Sequence, residues 1–186
     1  TGTRLRTFFR AHGSIVYHGH DVGPEGHPRH SVKARTMDAR PNILFVLSDQ
    51  QHWQAAGFMD ASFRTPHLDR LAAEATVFTD AFCTTPQCSP SRSSIMTGLY
   101  PSKTGVLGNI GAAGGMPLAL PTIGSALQSA GYRTAYFGKW HLGQHAVGTA
   151  GWDACEFLAG PGSKIDGPTT ERALAFLEAA GAEDRP

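Results

Sequence analysis

Charge is scarce in this 186-residue chain. Asp, Glu, Lys and Arg make up 17% of it and the net charge is +1, against a charged share of about 25% in ordinary globular chains. No segment therefore carries the dense basic surface of a nucleic-acid binder. A long apolar run is also lacking. The stretch from Lys103 to Arg133 has no formal charge between its ends, but Gly105, Gly108, Asn109, Gly111, Gly114, Gly115, Pro117, Pro121 and Gly124 interrupt it. That excludes a membrane-spanning helix and predicts a backbone-dominated loop followed by a short helix. No apolar region follows the early arginines, so no secretory signal is read there. Cysteine is limited to Cys83, Cys88 and Cys155, too few for a disulfide framework. An odd count points to a reducing compartment or a chemically used thiol, and a cytoplasmic setting is the expectation.

What is present is 41% apolar residue, with 22 Gly and 12 Pro, the composition of a loop-rich folded protein. The length suits about one domain with a real core. Residues 1–36 hold five of the nine histidines, six Lys/Arg and only two Asp/Glu. They are read as a disordered leader or an upstream extension before Met37, with a transit peptide as the sharper alternative. Residues 37–186 are read as the folded part.

Asn42–Ser48 is nearly all apolar between Pro41 and Asp49, the pattern of a strand buried on both faces. Thr65-Pro66 opens a helix, Thr as N-cap and Pro at the first position, with Leu68, Leu71, Ala72 and Ala75 on one face. Thr76–Phe82 reads as a second strand and Pro90–Thr97 as a short helix closed by Gly98. Thr122–Ala130 reads as a helix with Ile123, Ala126, Leu127 and Ala130 inward. Arg133–Phe137 reads as a third strand, and Pro168–Ala180 as a last helix with Ala173, Leu174, Phe176 and Leu177 inward. Strands alternating with helices make the class α/β, with a mainly parallel sheet flanked by helices. Ligands in such sheets sit beyond the carboxyl ends of strands, where Asp49, Gln50, Lys139 and His141 fall.

Several chemical motifs fail on their own requirements. Gly138-Lys139 is followed by Trp140, not the Ser or Thr of a phosphate-cradling loop, and neither GxGxxG nor GxSxG occurs. His141 and His145 are four apart without the Glu of a zinc protease between them, and His145 is read as a surface residue. Cys83 and Cys88 lack a second Cys/His pair for zinc. What remains is Cys88-Ser89-Pro90-Ser91-Arg92, a thiol at a loop-to-helix junction, where helix amides favour anions, with Arg92 one turn along. Alone, this says only that an anion belongs near a cysteine, and a lone Cys is more often a small buried hydrophobe.

At this point the chain resembles the formylglycine-dependent sulfatases of the alkaline-phosphatase-like superfamily. Three blocks carry the resemblance in order: Arg40 to Gln50 (RPNILFVLSDQ); Thr65 to Ala72 (TPHLDRLA) leading to Cys88 through Gly98 (CSPSRSSIMTG); and Gly131 to Gly143 (GYRTAYFGKWHLG). The resemblance implies an alkaline-phosphatase-like fold, incomplete in this chain. It implies a sulfuric ester hydrolase in which a formylglycine-generating enzyme oxidises Cys88 to an aldehyde. The hydrated aldehyde attacks sulfur with one hydroxyl and expels sulfate with the other. Arg92 matches the Arg that holds the diol, Lys139 the Lys that grips sulfate, and His141 the His that bonds the second hydroxyl. Asp49, Gln50 and the modified Cys88 match Ca²⁺ ligands, oxygen donors for a hard cation. Read without the family, Lys139 is a solvated charge and His141 a turn residue. The implied substrate is a small sulfate ester or a sulfated glycan, with no nucleic-acid partner and no membrane span.

The sequence departs from the family in two ways. Gln50 replaces the commoner Asp and lowers the negative charge of the metal site. Asp-Gln also occurs in relatives acting on phosphonate and phosphate esters, so that activity stays open. Gln51, His52 and Trp53 follow and fit either the substrate side or loop packing. No downstream Asp-Asn metal pair is found between Phe157 and Pro186, so the chain reads as the N-terminal portion of the catalytic domain, and an inactive remnant is the third alternative. Cys83 is expected to be a buried structural thiol, and Cys155 has no assigned role.

Overall fold

The computed structural model describes residues 5–11, 13–16, 40–111, 114–143, 150–156, 162–181 and 186. His145 lies outside them. The chain forms two compact units, Thr1–Phe82 and Cys83–Pro186.

The first unit is built on a four-stranded sheet. Strands β1 (Leu5–Ala11), β2 (Gly13–Val16), β3 (Asn42–Val46) and β4 (Thr76–Val77) lie in the order β3-β1-β2-β4. β1 runs parallel to β3, pairing Leu5 with Asn42 and Phe9 with Val46. β2 is antiparallel to both β1 and β4. LRTFFRA and GSIV are rich in the aromatic and branched residues that suit strands, and they supply β1 and β2. They add antiparallel pairs beside the parallel β1–β3 pair.

β3 is not buried on both faces, since Ile43, Phe45 and Val46 are 39%, 39% and 40% exposed. Its apolar run suits a covering layer on each side, and no such layer reaches these three side chains among the described residues. The expected strand Thr76–Phe82 shrinks to the two residues of β4, with Phe78 and Phe82 exposed beyond it.

Helix α1 (Pro66–Glu74) presents the predicted face: Leu68, Leu71, Ala72 and Ala75 are half-buried. Thr65 stands at the N-cap but does not cap through its side chain. Its hydroxyl instead donates to Asp69 at 2.8 Å and accepts from the Gly57 amide at 2.7 Å, while the Phe58 amide donates to the same Asp69 oxygen at 3.0 Å. The cap residue ties the preceding loop down.

The second unit carries α2 (Cys88–Thr97), α3 (Pro101–Thr104), α4 (Ile123–Ser129), the parallel pair β5 (Ala135–Phe137) and β6 (Ala154–Glu156), and α5 (Gly162–Ala180). Its core joins Met96, Val106, Met116, Trp140, Leu142 and Ala150. Val106 and Met116 come from the uncharged stretch, so that loop is a core element. It docks by the Met116 amide on the Leu142 carbonyl at 3.0 Å and by Gly143. There φ is +96°, and an added Cβ would stand 2.7 Å from the Gly115 Cα.

α4 starts with a reciprocal cap between Thr122 and Ser125. Its inward face is not the predicted one: Ile123, Ala126 and Ala130 are exposed, Leu127 is half-buried, and Thr122 and Gly124 are buried. The reason is close approach, because Gly124 lies against the Ala150 and Gly151 carbonyls and Trp152. A side chain there would push the helix away. α5 begins at Gly162, six residues before the predicted start, and holds Pro168 inside it. Phe176 packs on Phe137 and Arg133, whereas Leu174 is exposed. Cys83 is half-buried, not buried, in the irregular run before α2.

Candidate active site

α2 is an unusual helix because its buried side is largely polar. Ser89, Pro90, Arg92, Ser93, Ser94 and Met96 are buried. The hydroxyls are partnered: Ser93 donates to the Pro90 carbonyl at 2.8 Å and meets Thr104 at 3.0 Å, Thr84 donates to Ser94 at 3.0 Å, and Ser89 donates to the His141 carbonyl at 2.7 Å. Polar groups so satisfied can be buried without large cost. Gly98, at φ +72°, ends the helix through its amide on the Ser94 carbonyl.

The helix begins at Cys88, two residues earlier than Pro90. The N-cap Gln87 makes no side-chain cap. Asn109 acts in its place from a distant loop, its Oδ1 accepting from the Ser89 amide at 3.1 Å. This alters the anion argument: the Ser89 amide is engaged and Pro90 has none, so the first turn offers an anion fewer donors than a bare helix start.

β5 delivers the other half of the constellation. It ends in Gly138, whose φ of +103° turns the chain, and whose amide donates to the Glu156 carbonyl at 3.0 Å. Beyond it, Trp140 and Leu142 enter the core. Lys139 and His141, which alternate with them in sequence, are only half-buried. Lys139 Nζ lies 3.5 Å from Cys88 Sγ, so the thiol and ammonium are brought together across 51 residues of sequence. Arg92 is only 6% exposed. Its Nη1 donates to the Lys139 carbonyl at 2.6 Å and to the Tyr136 hydroxyl at 3.2 Å. Tyr136 itself donates to the Lys139 carbonyl and packs edge-on against Trp140.

His141 has a left-handed backbone, φ 59°, uncommon for a residue with a side chain. Its Nδ1 is buried without a hydrogen-bond partner among the described residues. Asp49 and Gln50 stand in the first unit, just beyond the end of β3, both exposed. Gln50 shares the left-handed backbone, φ 57°. Their oxygens are the right donors for a hard cation, but they are two, and no group of three His, Cys, Asp or Glu among the described residues could hold a metal. Gln51 packs its own loop, Nε2 donating to the Ala55 carbonyl at 2.7 Å, while His52 and Trp53 form an exposed, tilted ring pair.

Sequence reasoning missed Asn109, Tyr136 and the Ser89 hydroxyl. Tyr136 carried no signal beyond its place inside the third block, and Asn109 none beyond its place in an uncharged loop.

The Sulfatase family model matches residues 41–172. The chain belongs to the sulfatase family, and it shares part of the alkaline-phosphatase-like α/β fold of its structural neighbours. It is 41% identical over 120 residues to the "Ulvan-active sulfatase" of Formosa agariphila, a match covering 62% of this chain and 22% of that one. "Arylsulfatase G" of Rattus norvegicus is 41% identical over 118 residues, with the same two coverages. The crystal structure of Ps i-CgsB superposes with a TM-score of 0.57 at 29% identity, over 68% of this chain and 31% of that one. A second structure, Ps i-CgsB in complex with k-i-k-neocarrahexaose, gives a TM-score of 0.57 at 28% identity, over 73% of this chain and 32% of that one. The chain spans about a fifth of the length of the curated relatives it matches.

Proposed function

We propose that this chain carries part of the active site of a sulfuric ester hydrolase whose nucleophile is a formylglycine made from Cys88 by a formylglycine-generating enzyme. The observation that carries the reading is Cys88 at the first turn of α2, with Lys139 Nζ 3.5 Å from its sulfur and Arg92 one turn along on the same face. A sulfate ester is an anion, and the Lys139 ammonium beside residue 88 supplies a cationic contact for it. Arg92, fixed on the Lys139 carbonyl, holds that turn against the helix. His141 offers a buried imidazole nitrogen available to a hydroxyl at residue 88. The formylglycine, once formed, supplies a hydrated aldehyde with one hydroxyl for attack and one for release.

Asp49 and Gln50 would offer oxygen donors to Ca²⁺, which would screen the negative charge of the sulfate. These donors suit the ion, though they are fewer than the six to eight oxygens it usually takes. This chain alone is therefore proposed to be inactive. The names of the relatives, an ulvan-active sulfatase and a protein crystallised with k-i-k-neocarrahexaose, favour a sulfated glycan over a small sulfate ester. Gln50 supports a second reading, a phosphonate or phosphate ester hydrolase, because it leaves the site one negative charge lower. Among the described residues no helix is long and apolar enough to cross a membrane. The odd count of three cysteines is the ground for proposing a reducing, cytoplasmic setting.

The test is mass spectrometry of the Cys88 peptide after co-expression with a formylglycine-generating enzyme. The expected product is about 18 Da lighter than the thiol, unlike the oxygen-adding steps of ordinary cysteine oxidation. A folded chain whose Cys88 stays unmodified refutes the reading.

A further inference from the structure

Ser89 follows Cys88 directly and is 0% exposed. Its hydroxyl donates to the His141 carbonyl at 2.7 Å and accepts from the Ile110 amide at 3.0 Å, while its own amide donates to Asn109 Oδ1 at 3.1 Å. One small side chain thus joins the start of α2, the 109–110 loop and the turn after β5. The His141 end of this tie is the residue with φ 59°, a conformation that persists in a non-glycine residue when its surroundings over-determine it. The imidazole of that residue has a buried nitrogen with no partner among the described residues.

We propose that Ser89 is a positioning residue: acting through the His141 carbonyl, it holds the left-handed turn and so sets where the imidazole stands relative to residue 88. What the imidazole does there rests on the sulfatase reading, but the tie does not. A hydroxyl is suited to the post because it donates and accepts at once. Consecutive Cα atoms are about 3.8 Å apart, so anchoring His141 on residue 89 registers it one residue from the nucleophile. Alanine at position 89 leaves a part-buried carbonyl and a part-buried amide without their partner, and the cheapest relief is for the turn to relax out of its left-handed form.

The experiment is NMR on the isotopically labelled 186-residue protein, reading the His141 ¹³Cα and ¹³Cβ shifts and HN–Hα coupling, which report a positive φ. Wild type and Ser89→Thr should show the positive-φ signature, and Ser89→Ala should lose it while the amides of residues 91–97 stay protected from exchange. Ser89→Cys keeps the shape with a weaker donor and should lose part of the signature; it decides the matter if Ser89→Ala does not fold. Full retention of the signature in Ser89→Ala, or in Ser89→Cys where Ala is unfolded, overturns the proposal, as does its loss in Ser89→Thr. Because the readout needs no sulfate turnover, it stands apart from the Cys88 mass measurement, and a failure of either is distinguishable from a failure of the other.

Discussion

Removing the Arg92 guanidinium should destabilise the second unit through a bond that a double-mutant cycle can isolate. Arg92 is 6% exposed and bridges two acceptors through Nη1, the Lys139 carbonyl at 2.6 Å and the Tyr136 hydroxyl at 3.2 Å. A hydrogen bond from a charged donor contributes about 1.5–3 kcal/mol. Arg92→Ala loses both, and the Tyr136 hydroxyl and Lys139 carbonyl keep each other, which limits the penalty for stranded groups. The expected loss is about 4 kcal/mol. Tyr136→Phe removes one acceptor and keeps the ring packed on Trp140, so about 1–1.5 kcal/mol is expected, or roughly 0.6 M in the urea midpoint. In the Arg92→Ala background the same Phe substitution should cost less, because only the Tyr136 bond to the Lys139 carbonyl is then lost, leaving a coupling of about 1 kcal/mol. Arg92→Lys keeps the charge but presents a point donor that cannot span both oxygens, and should recover less than half of the loss. Urea unfolding of the four proteins of the cycle reads these numbers directly. Additivity within about 0.5 kcal/mol would refute the account, since it would mean that the guanidinium and the phenol do not share a bond.

Three further outcomes follow from the same geometry. Gly124→Ala places a Cβ 2.7 Å from the Ala150 and Gly151 carbonyls, and because backbone oxygens cannot step aside, a loss of about 2–3 kcal/mol is expected; a neutral thermal scan would contradict that packing. The Asp60 carboxyl is held below its ordinary value of 3.8 by hydrogen bonds from the Ser62 hydroxyl and amide, so its contribution to stability is complete above that pH and fades as pH falls through the folded midpoint. Ser62→Ala should raise that midpoint in a ¹³C carboxyl titration, and an unchanged midpoint counts against the hydroxyl. On the proposed Ca²⁺ reading, calorimetry on the 186-residue chain should find the ion bound no tighter than about millimolar, because Asp49 and Gln50 offer far fewer than six to eight oxygens; micromolar affinity would refute that ligand assignment.

What could be read from the sequence was whatever is written locally. Pro66, the i, i+3, i+4 face of α1, the left-handed Gly98 and the run from Tyr136 through Leu142 are each set within a few residues, and each appears in the structure close to where the pattern put it. The pairing of Cys88 with Lys139 was reachable only through the order of the three blocks, since nothing in either segment alone points across 51 residues. What was illegible shares a physical cause. Asn109 caps α2 from 20 residues away, Tyr136 meets Arg92 across 44, and Gly124 turns the expected face of α4 outward because it touches the chain near Ala150. None of these contacts leaves a periodicity. Even Thr65, placed correctly at a helix start, uses its hydroxyl on Asp69 and Gly57 rather than on its own helix. Residue type thus told where a helix begins but not which partner its first hydroxyl would take. In the candidate site the chemistry-bearing residues were visible as a motif, while the residues that hold them in place were not. Positioning is a property of long-range packing, and Ser89, Asn109 and Tyr136 act only once distant segments have come together.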